Sequence, residues 1–405
     1  MITQHLENSS SLASPTRPAG NGKTRSVMDH RLGTVDLHTH PSMLAYMFRT
    51  RFWKPQRPAA YGFYPWAMRV NLDTLLAGGV KAFLCTTYVL ERTMYKDVWP
   101  LNLLAHVHPR FRHMATAPPD MLTREYLDAA ERMIEETRRR RGDVIAIARS
   151  FADYQRITDE GKICMLHAIE GAHHLNGNID MVDELYKRGV CLMVIPHLYP
   201  NEAGGCVDLV VSDLRLPWLP GCFHPKHQDR SGLSRWGGQL VEKLLEVGII
   251  VDPTHGTREF RKQVLDIARS SSKKRPVVMS HVNVPGKSFS HSGLDPLPED
   301  IREIADTGGV VGLIMYYHAP SDAQTMTGVE SVLRAIDYLI RYGGEDVVAF
   351  GSDFDGYFAT LPRDIRSPRG YNALREAMRR KYTDAQVAKF MNGNAERVLK
   401  AGWGK

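Results

Sequence analysis

The chain has 405 residues, of which 43% are hydrophobic and 24% charged, enough apolar mass for a sizeable core and neither a disordered nor a membrane composition. No apolar run approaches the roughly 20 residues of a bilayer span, so no membrane partner is expected. The net charge of +7 is scattered, and its densest run, Arg138 to Arg141, ends a predicted helix where cations complement the C-terminal dipole; nucleic acid is therefore not an expected partner.

Residues 1–30, rich in Ser, Pro, Gly and Asn and lacking a basic-then-apolar signal pattern, read as a disordered tail ahead of one domain spanning residues 31–405. Eight short apolar runs follow, at residues 35–38, 80–87, 163–169, 191–196, 249–254, 276–280, 310–315 and 347–351. Their length and weak alternation suit strands buried on both faces. Between them fall amphipathic helical patterns at 124–141, 235–246, 259–268, 299–306 and 329–341, with two or three more helices between 370 and 400. Eightfold strand–helix alternation predicts an α/β fold, a (β/α)8 TIM barrel with extra C-terminal helices, with a doubly wound open sheet as the rival because closure is not visible in a sequence. Two connections, 41–71 and 198–234, are long and follow strand C-termini. The five cysteines are odd in number and widely spaced, and the three in strand-like apolar runs read as buried thiols in a reducing compartment, which makes cytoplasmic residence the expectation.

Polar residues close these runs. His38 and His40 end the first, Glu170 the third, His197 the fourth, His255 the fifth, His281 the sixth and Asp353 the eighth. Barrel enzymes keep their chemistry on that face, and imidazole and carboxylate are the usual ligands of catalytic zinc. One histidine at a strand end is ordinarily a hydrogen-bonded structural residue. A whole set at successive strand ends points instead to a metal site, with His-x-His paired through a twist or bulge, Glu170 able to bridge two ions and Asp353 able to shuttle a proton.

The stretches carrying these residues resemble the membrane (renal) dipeptidases, peptidase family M19, within the amidohydrolase superfamily. The resemblance rests on Ala168-Ile169-Glu170-Gly171-Ala172-His173, Val251-Asp252-Pro253-Thr254-His255, Ser280-His281, Gly308-Gly309-Val310-Val311-Gly312 and, most specifically, Gly351-Ser352-Asp353-Phe354-Asp355-Gly356. It implies a zinc-dependent hydrolase, two ions per chain, acting on a small-molecule amide or peptide, in a family that is often dimeric. His38 would bind the first zinc, Glu170 would bridge, and His255 and His281 would hold the second. His197 would steady the substrate carbonyl or oxyanion, and Asp353 would act as acid and base. Two departures stand out. His40 occupies a position where the family has aspartate. No arginine stands near Leu294, where the family grips a dipeptide carboxylate; Lys287 and His291 are the nearest basic residues. A substrate larger than a plain dipeptide is therefore expected, such as an N-acyl amino acid, with Trp53 and Trp66 of the first long connection and Tyr199 of the second as candidate contacts; the first connection, rich in aromatics and bases, reads equally as a lid over the substrate or as a packed insertion or dimer contact. A metal-dependent phosphodiesterase of the TatD type and a non-catalytic metal-binding barrel are the alternatives.

Overall fold

The computed structural model describes residues 33–56, 67–207, 231–284, 295–318, 321–356 and 361–404. The N-terminal tail predicted over residues 1–30 lies outside them. The strands are β1 (Thr34–Thr39), β2 (Val80–Thr87), β3 (Ile145–Ile147), β4 (Ile163–Glu170), β5 (Val190–Val194), β6 (Ile250–Asp252), β7 (Val278–Val282), β8 (Val310–Leu313) and β9 (Val348–Phe350). Every pairing is parallel, and the order is β6-β5-β4-β2-β1-β9-β8-β7. The two ends of that order meet in a parallel bridge between Val251 and Val277, so the sheet curls into an eight-stranded barrel and the open-sheet alternative falls.

All eight predicted runs are barrel strands. Their faces are apolar on both sides: in β2, Phe83 and Cys85 join one buried cluster while Ala82 and Leu84 join another. This is why the runs show so little alternation. The ninth strand, β3, was not predicted. It pairs with the start of β4, Ile145 opposite Ile163, on the edge that β5 takes over from His167 onwards.

The helices obey ordinary start and stop chemistry. Arg235–Val247 begins at Ser234, whose hydroxyl accepts from the Gly237 amide, and ends at Gly248 in the left-handed conformation. Its buried stripe, Leu240, Val241, Leu244 and Leu245, faces the barrel, and truncating Leu244 to alanine would cost roughly 2–5 kcal/mol. The long helix Pro119–Arg141 opens with proline in its first turn and buries Leu122, Tyr126, Ala130, Met133 and Thr137. The C-terminal helices predicted between 370 and 400 are Gly370–Arg379, Asp384–Ala388 and Asn394–Gly402.

Three short helices, Arg92–Asp97, Trp99–Val107 and Pro109–Thr116, follow β2 and were not predicted. Each is too brief for a periodic signal, and Pro100 and Pro109 sit in the first turns of the last two. With Pro41–Phe48, which occupies the start of the first long connection, they build a cap with its own core of Met43, Met94, Phe111, Tyr126 and Tyr199. Among the described residues no helix is long and apolar enough to cross a membrane. Cys85, Cys164 and Cys191 are buried free thiols and Cys206 is buried; Cys222 lies outside the described residues.

Candidate metal centre

β1 slips in its pairing with β2 between Asp36 and Thr39. That irregularity turns His38 and His40 to the same side, and their Nε2 atoms stand 2.9 Å apart. The buried Asp36 carboxylate pins the strand end. It accepts from the His38 amide (3.2 Å), the Ser352 amide (2.9 Å) and the Tyr371 hydroxyl (2.7 Å). Across the barrel, Asp252 does the same for β6 and β7, accepting from the Thr254 amide (2.8 Å) and the Ser280 amide (3.0 Å); burial pushes its carboxyl up to about 6. His255 follows with φ of 70°, a left-handed backbone that aims its ring inward, and its Nε2 lies 2.9 Å from Nε2 of His281.

Glu170, the last residue of β4, lies between these two imidazole pairs. Its Oε1 is 3.4 Å from His38 Nε2, 3.3 Å from His255 Nε2 and 3.4 Å from His281 Nε2. Its Oε2 is 3.4 Å from His40 Nε2 and 3.6 Å from His197 Nε2. Burial works against the Glu170 anion, but the charges of His197 and His38 and the hydrogen bonds of His255 and His38 outweigh it and hold the carboxyl well below the usual range. Burial keeps His255 and His281 below the ordinary imidazole value; the neighbouring histidines push in the same direction. Neutral imidazole is the form that binds metal. Asp353, at φ 55°, has Oδ1 3.2 Å from His40 Nε2, and with its side chain 16% exposed it is the most open member of the set.

The structure thus brings together every residue expected at the centre: His38, His40, Glu170, His197, His255, His281 and Asp353. Zinc–nitrogen bonds of about 2.0–2.1 Å in tetrahedral geometry place two imidazole nitrogens roughly 3.3 Å apart. Both 2.9 Å pairs need little adjustment to share an ion. The donors present, imidazole nitrogens around one ionised carboxylate, fit zinc.

The substrate contacts fare differently. Trp53 is not at the centre. Its ring carries Arg51 and Arg140, and its carbonyl accepts from Arg141 (2.8 Å), at the end of helix Pro119–Arg141 that leads to the start of β3 and away from the strands' C-terminal rim. Of the two readings of this connection, a lid or a packed insertion, Trp53 takes the packed one, against the barrel flank. Tyr199 is in the cap core and donates to Asp97 (3.2 Å). Trp66, Lys287 and His291 lie outside the described residues, as does the stretch around Leu294.

Several functional neighbours escaped the sequence reading. Ser280 holds the Nδ1 atoms of His38 and His281. Asp36 and Asp252 precede their histidines by two and three residues, a spacing that could have flagged them. Tyr88 and Glu91 follow the C-terminal end of β2, where the strand-end rule already pointed, and Glu91 reaches His197 Nδ1 at 3.2 Å.

A parallel barrel with five histidines and two carboxylates converging at its C-terminal rim defines a metal-dependent hydrolase. The sequence matches the membrane dipeptidase (peptidase family M19) model over residues 26–402, and the chain belongs to that family. It is 25% identical over 281 residues to dipeptidase verJ of Clonostachys rogersoniana, an alignment covering 68% of this chain and 64% of that protein. It is 29% identical over 263 residues to an uncharacterized protein of the pqqA 5' region of Klebsiella pneumoniae, covering 63% of this chain and 88% of that one. Among solved structures, a metallo peptidase from Rhodobacter sphaeroides, liganded with a phosphinate mimic of the dipeptide L-Ala-D-Ala, is similar with a TM-score of 0.69 at 22% identity, covering 92% of this chain and 99% of that one.

Proposed function

We propose that this protein hydrolyses the C–N amide bond of a dipeptide-like or N-acyl amino acid-like small molecule, using two zinc ions per chain. The observation that carries the reading is Glu170, one carboxylate whose two oxygens face both imidazole pairs, His38 with His40 and His255 with His281. This is the donor arrangement of a two-metal site. When bound, the ions supply Lewis acidity and make water acidic enough to attack near neutral pH.

The chain's own residues do the rest. Asp353, close to His40 and the most open of the set, takes the proton of the attacking water and passes it to the departing amine. His197, with Nε2 directed at the Glu170 side of the centre, donates to the carbonyl oxygen as it gains charge. The Tyr88 ring packs edge-on against His197 and shields that side from water, with Tyr199 in the same cap core. A relative named a dipeptidase and a structural neighbour that holds a tetrahedral dipeptide mimic support the amide over the phosphodiester alternative.

The test is elemental analysis of the purified protein and of Glu170→Ala, alongside a hydrolysis screen of dipeptides and N-acyl amino acids. Two zincs per chain, lost in the variant together with turnover, are expected. Absence of metal, or a loaded protein inert towards every amide, would overturn the reading.

A further inference from the structure

Glu91 is a buried carboxylate beside the centre for which the chemistry above has no use. Its Oε1 lies 3.2 Å from His197 Nδ1, and its Oε2 accepts a hydrogen bond from the Tyr88 hydroxyl. The Tyr88 ring in turn stands edge-on to the His197 ring, with centroids 4.3 Å apart. An ionised carboxylate can only accept, so the proton of the Glu91–His197 bond sits on Nδ1 and the nitrogen turned to the reaction centre is Nε2.

The segment bearing this pair is held with unusual thoroughness. The amide of Val89, between Tyr88 and Glu91 in sequence, donates to His174 Nε2 (3.0 Å), and its carbonyl accepts from His173 Nε2 (2.8 Å). For His174 to accept at Nε2 its proton must be on Nδ1, and that atom meets the Thr123 hydroxyl at 2.7 Å, which itself donates to the Pro119 carbonyl (2.8 Å). Burial keeps His174 well below the ordinary imidazole value, in keeping with a neutral ring. Two consecutive histidines just past Glu170 therefore fix both backbone polar groups of Val89. The cap segment is wired to the strand that carries the bridging carboxylate.

We propose that Glu91, supported by Tyr88 and by the clamp of His173 and His174 on Val89, is the positioning residue for His197. It keeps a proton on Nδ1 and sets the ring plane so that Nε2 faces the substrate carbonyl. A carboxylate at Nδ1 also lets the ring carry a second proton on Nε2 and donate it as a hydrogen bond, the arrangement a developing oxyanion needs. The proposal rests on the amide-hydrolase reading for its consequence in catalysis, but the geometry of the pair stands apart from it.

The test compares full-length wild type with Glu91→Ala, Glu91→Gln and Tyr88→Phe, each purified with its metal. Metal content, turnover of the best dipeptide or N-acyl amino acid, and ¹⁵N spectra of histidine-labelled protein are recorded, with His197 assigned from His197→Gln. Glu91→Ala should keep its metal, lose about 10²-fold in kcat with KM within roughly threefold, and lose the protonated Nδ1 signal of His197. Glu91→Gln, whose amide oxygen can still accept, should recover the Nδ1 signal and part of kcat, and Tyr88→Phe should fall between wild type and Glu91→Ala. Unchanged kcat and an unchanged His197 signal in Glu91→Ala would overturn the proposal. So would metal lost in step with activity, which would make Glu91 a structural support only. If wild type itself turns over no amide, the functional reading fails, and the Nδ1 signal still decides whether Glu91 orients His197.

Discussion

The Ser280 hydroxyl lies 3.2 Å from Nδ1 of His38, a residue 242 positions away in the chain, and 2.9 Å from Nδ1 of its own neighbour His281. One oxygen with two lone pairs can accept from both rings. Both Nδ1 atoms then carry protons, and both Nε2 atoms are free to bind metal. Since His38 belongs to one imidazole pair and His281 to the other, one side chain sets the tautomer on both sides of Glu170. Ser280→Ala should weaken metal affinity about 10-fold without unfolding the barrel. Competition against a zinc-sensitive chelator, with the thermal midpoint as control, measures this; an unaltered affinity would show that the backbone alone orients the two rings.

Asp353 touches His40 but is the most exposed of the clustered groups, and its amide donates to the His38 carbonyl (2.9 Å). An amide side chain can preserve the shape without shuttling a proton. Asp353→Asn should therefore retain its metal while kcat falls by about 10²–10⁴-fold. Loss of metal in this variant, read by elemental analysis, would reassign Asp353 as a ligand.

Gly356 leaves room for the centre. A Cβ built there would stand 2.3 Å from Asp353 Oδ1 and 2.4 Å from His40 Cδ2. Gly356→Ala should push these side chains from their places, with stability lowered by roughly 1–3 kcal/mol and activity lowered more than stability. Denaturant unfolding together with kcat distinguishes local displacement from general loosening; an alanine variant of full activity would mean that the loop moves aside freely.

Away from the centre, Glu131 of helix Pro119–Arg141 pairs with Arg149 (3.2 Å) and Arg188 (3.2 Å). Burial opposes its charge, but His167, whose Nε2 stands 3.5 Å from its Oε1, and the charges of both arginines bring its carboxyl from 4.5 down to about 2. A carboxylate lowered on folding contributes stability that is complete above the unfolded value and is lost as pH falls through the folded one. Acid unfolding between about pH 4.5 and 2 should be shallower in Glu131→Gln than in wild type, by a modest amount because the side chain is partly exposed to solvent. Superimposable acid titrations followed by circular dichroism would rule this contribution out.

The strand ends were the legible part of this protein. Each metal-site residue follows an apolar run long enough to be recognised, and a parallel barrel carries all strand C-termini to one rim whatever their separation in sequence. The three residues of β3 carry no pattern because pairing with β4, rather than their own length, makes them a strand. The cap helices were hidden by prolines and brevity. Glu91 was hidden for a different reason: its role depends on two histidines gripping Val89 through backbone atoms, and side chains recognising backbone leave little imprint on residue identity. Trp53 stayed open between two readings because an aromatic beside arginines looks the same in sequence whether it stacks on a ligand or on Arg140.

The barrel's seam falls between the two strands that deliver His255 and His281. β6 and β7 are joined by the lone bridge at Val251 and Val277, and beyond it by the Asp252 carboxylate reaching the Ser280 amide. An ion shared by His255 and His281 would act as a rivet across this thin join of the cylinder, so that loading the site and shutting the staves become a single event. Stripping the ion would then loosen the wall at one identifiable place, and amide hydrogen exchange along β6 and β7 would report it before any other strand.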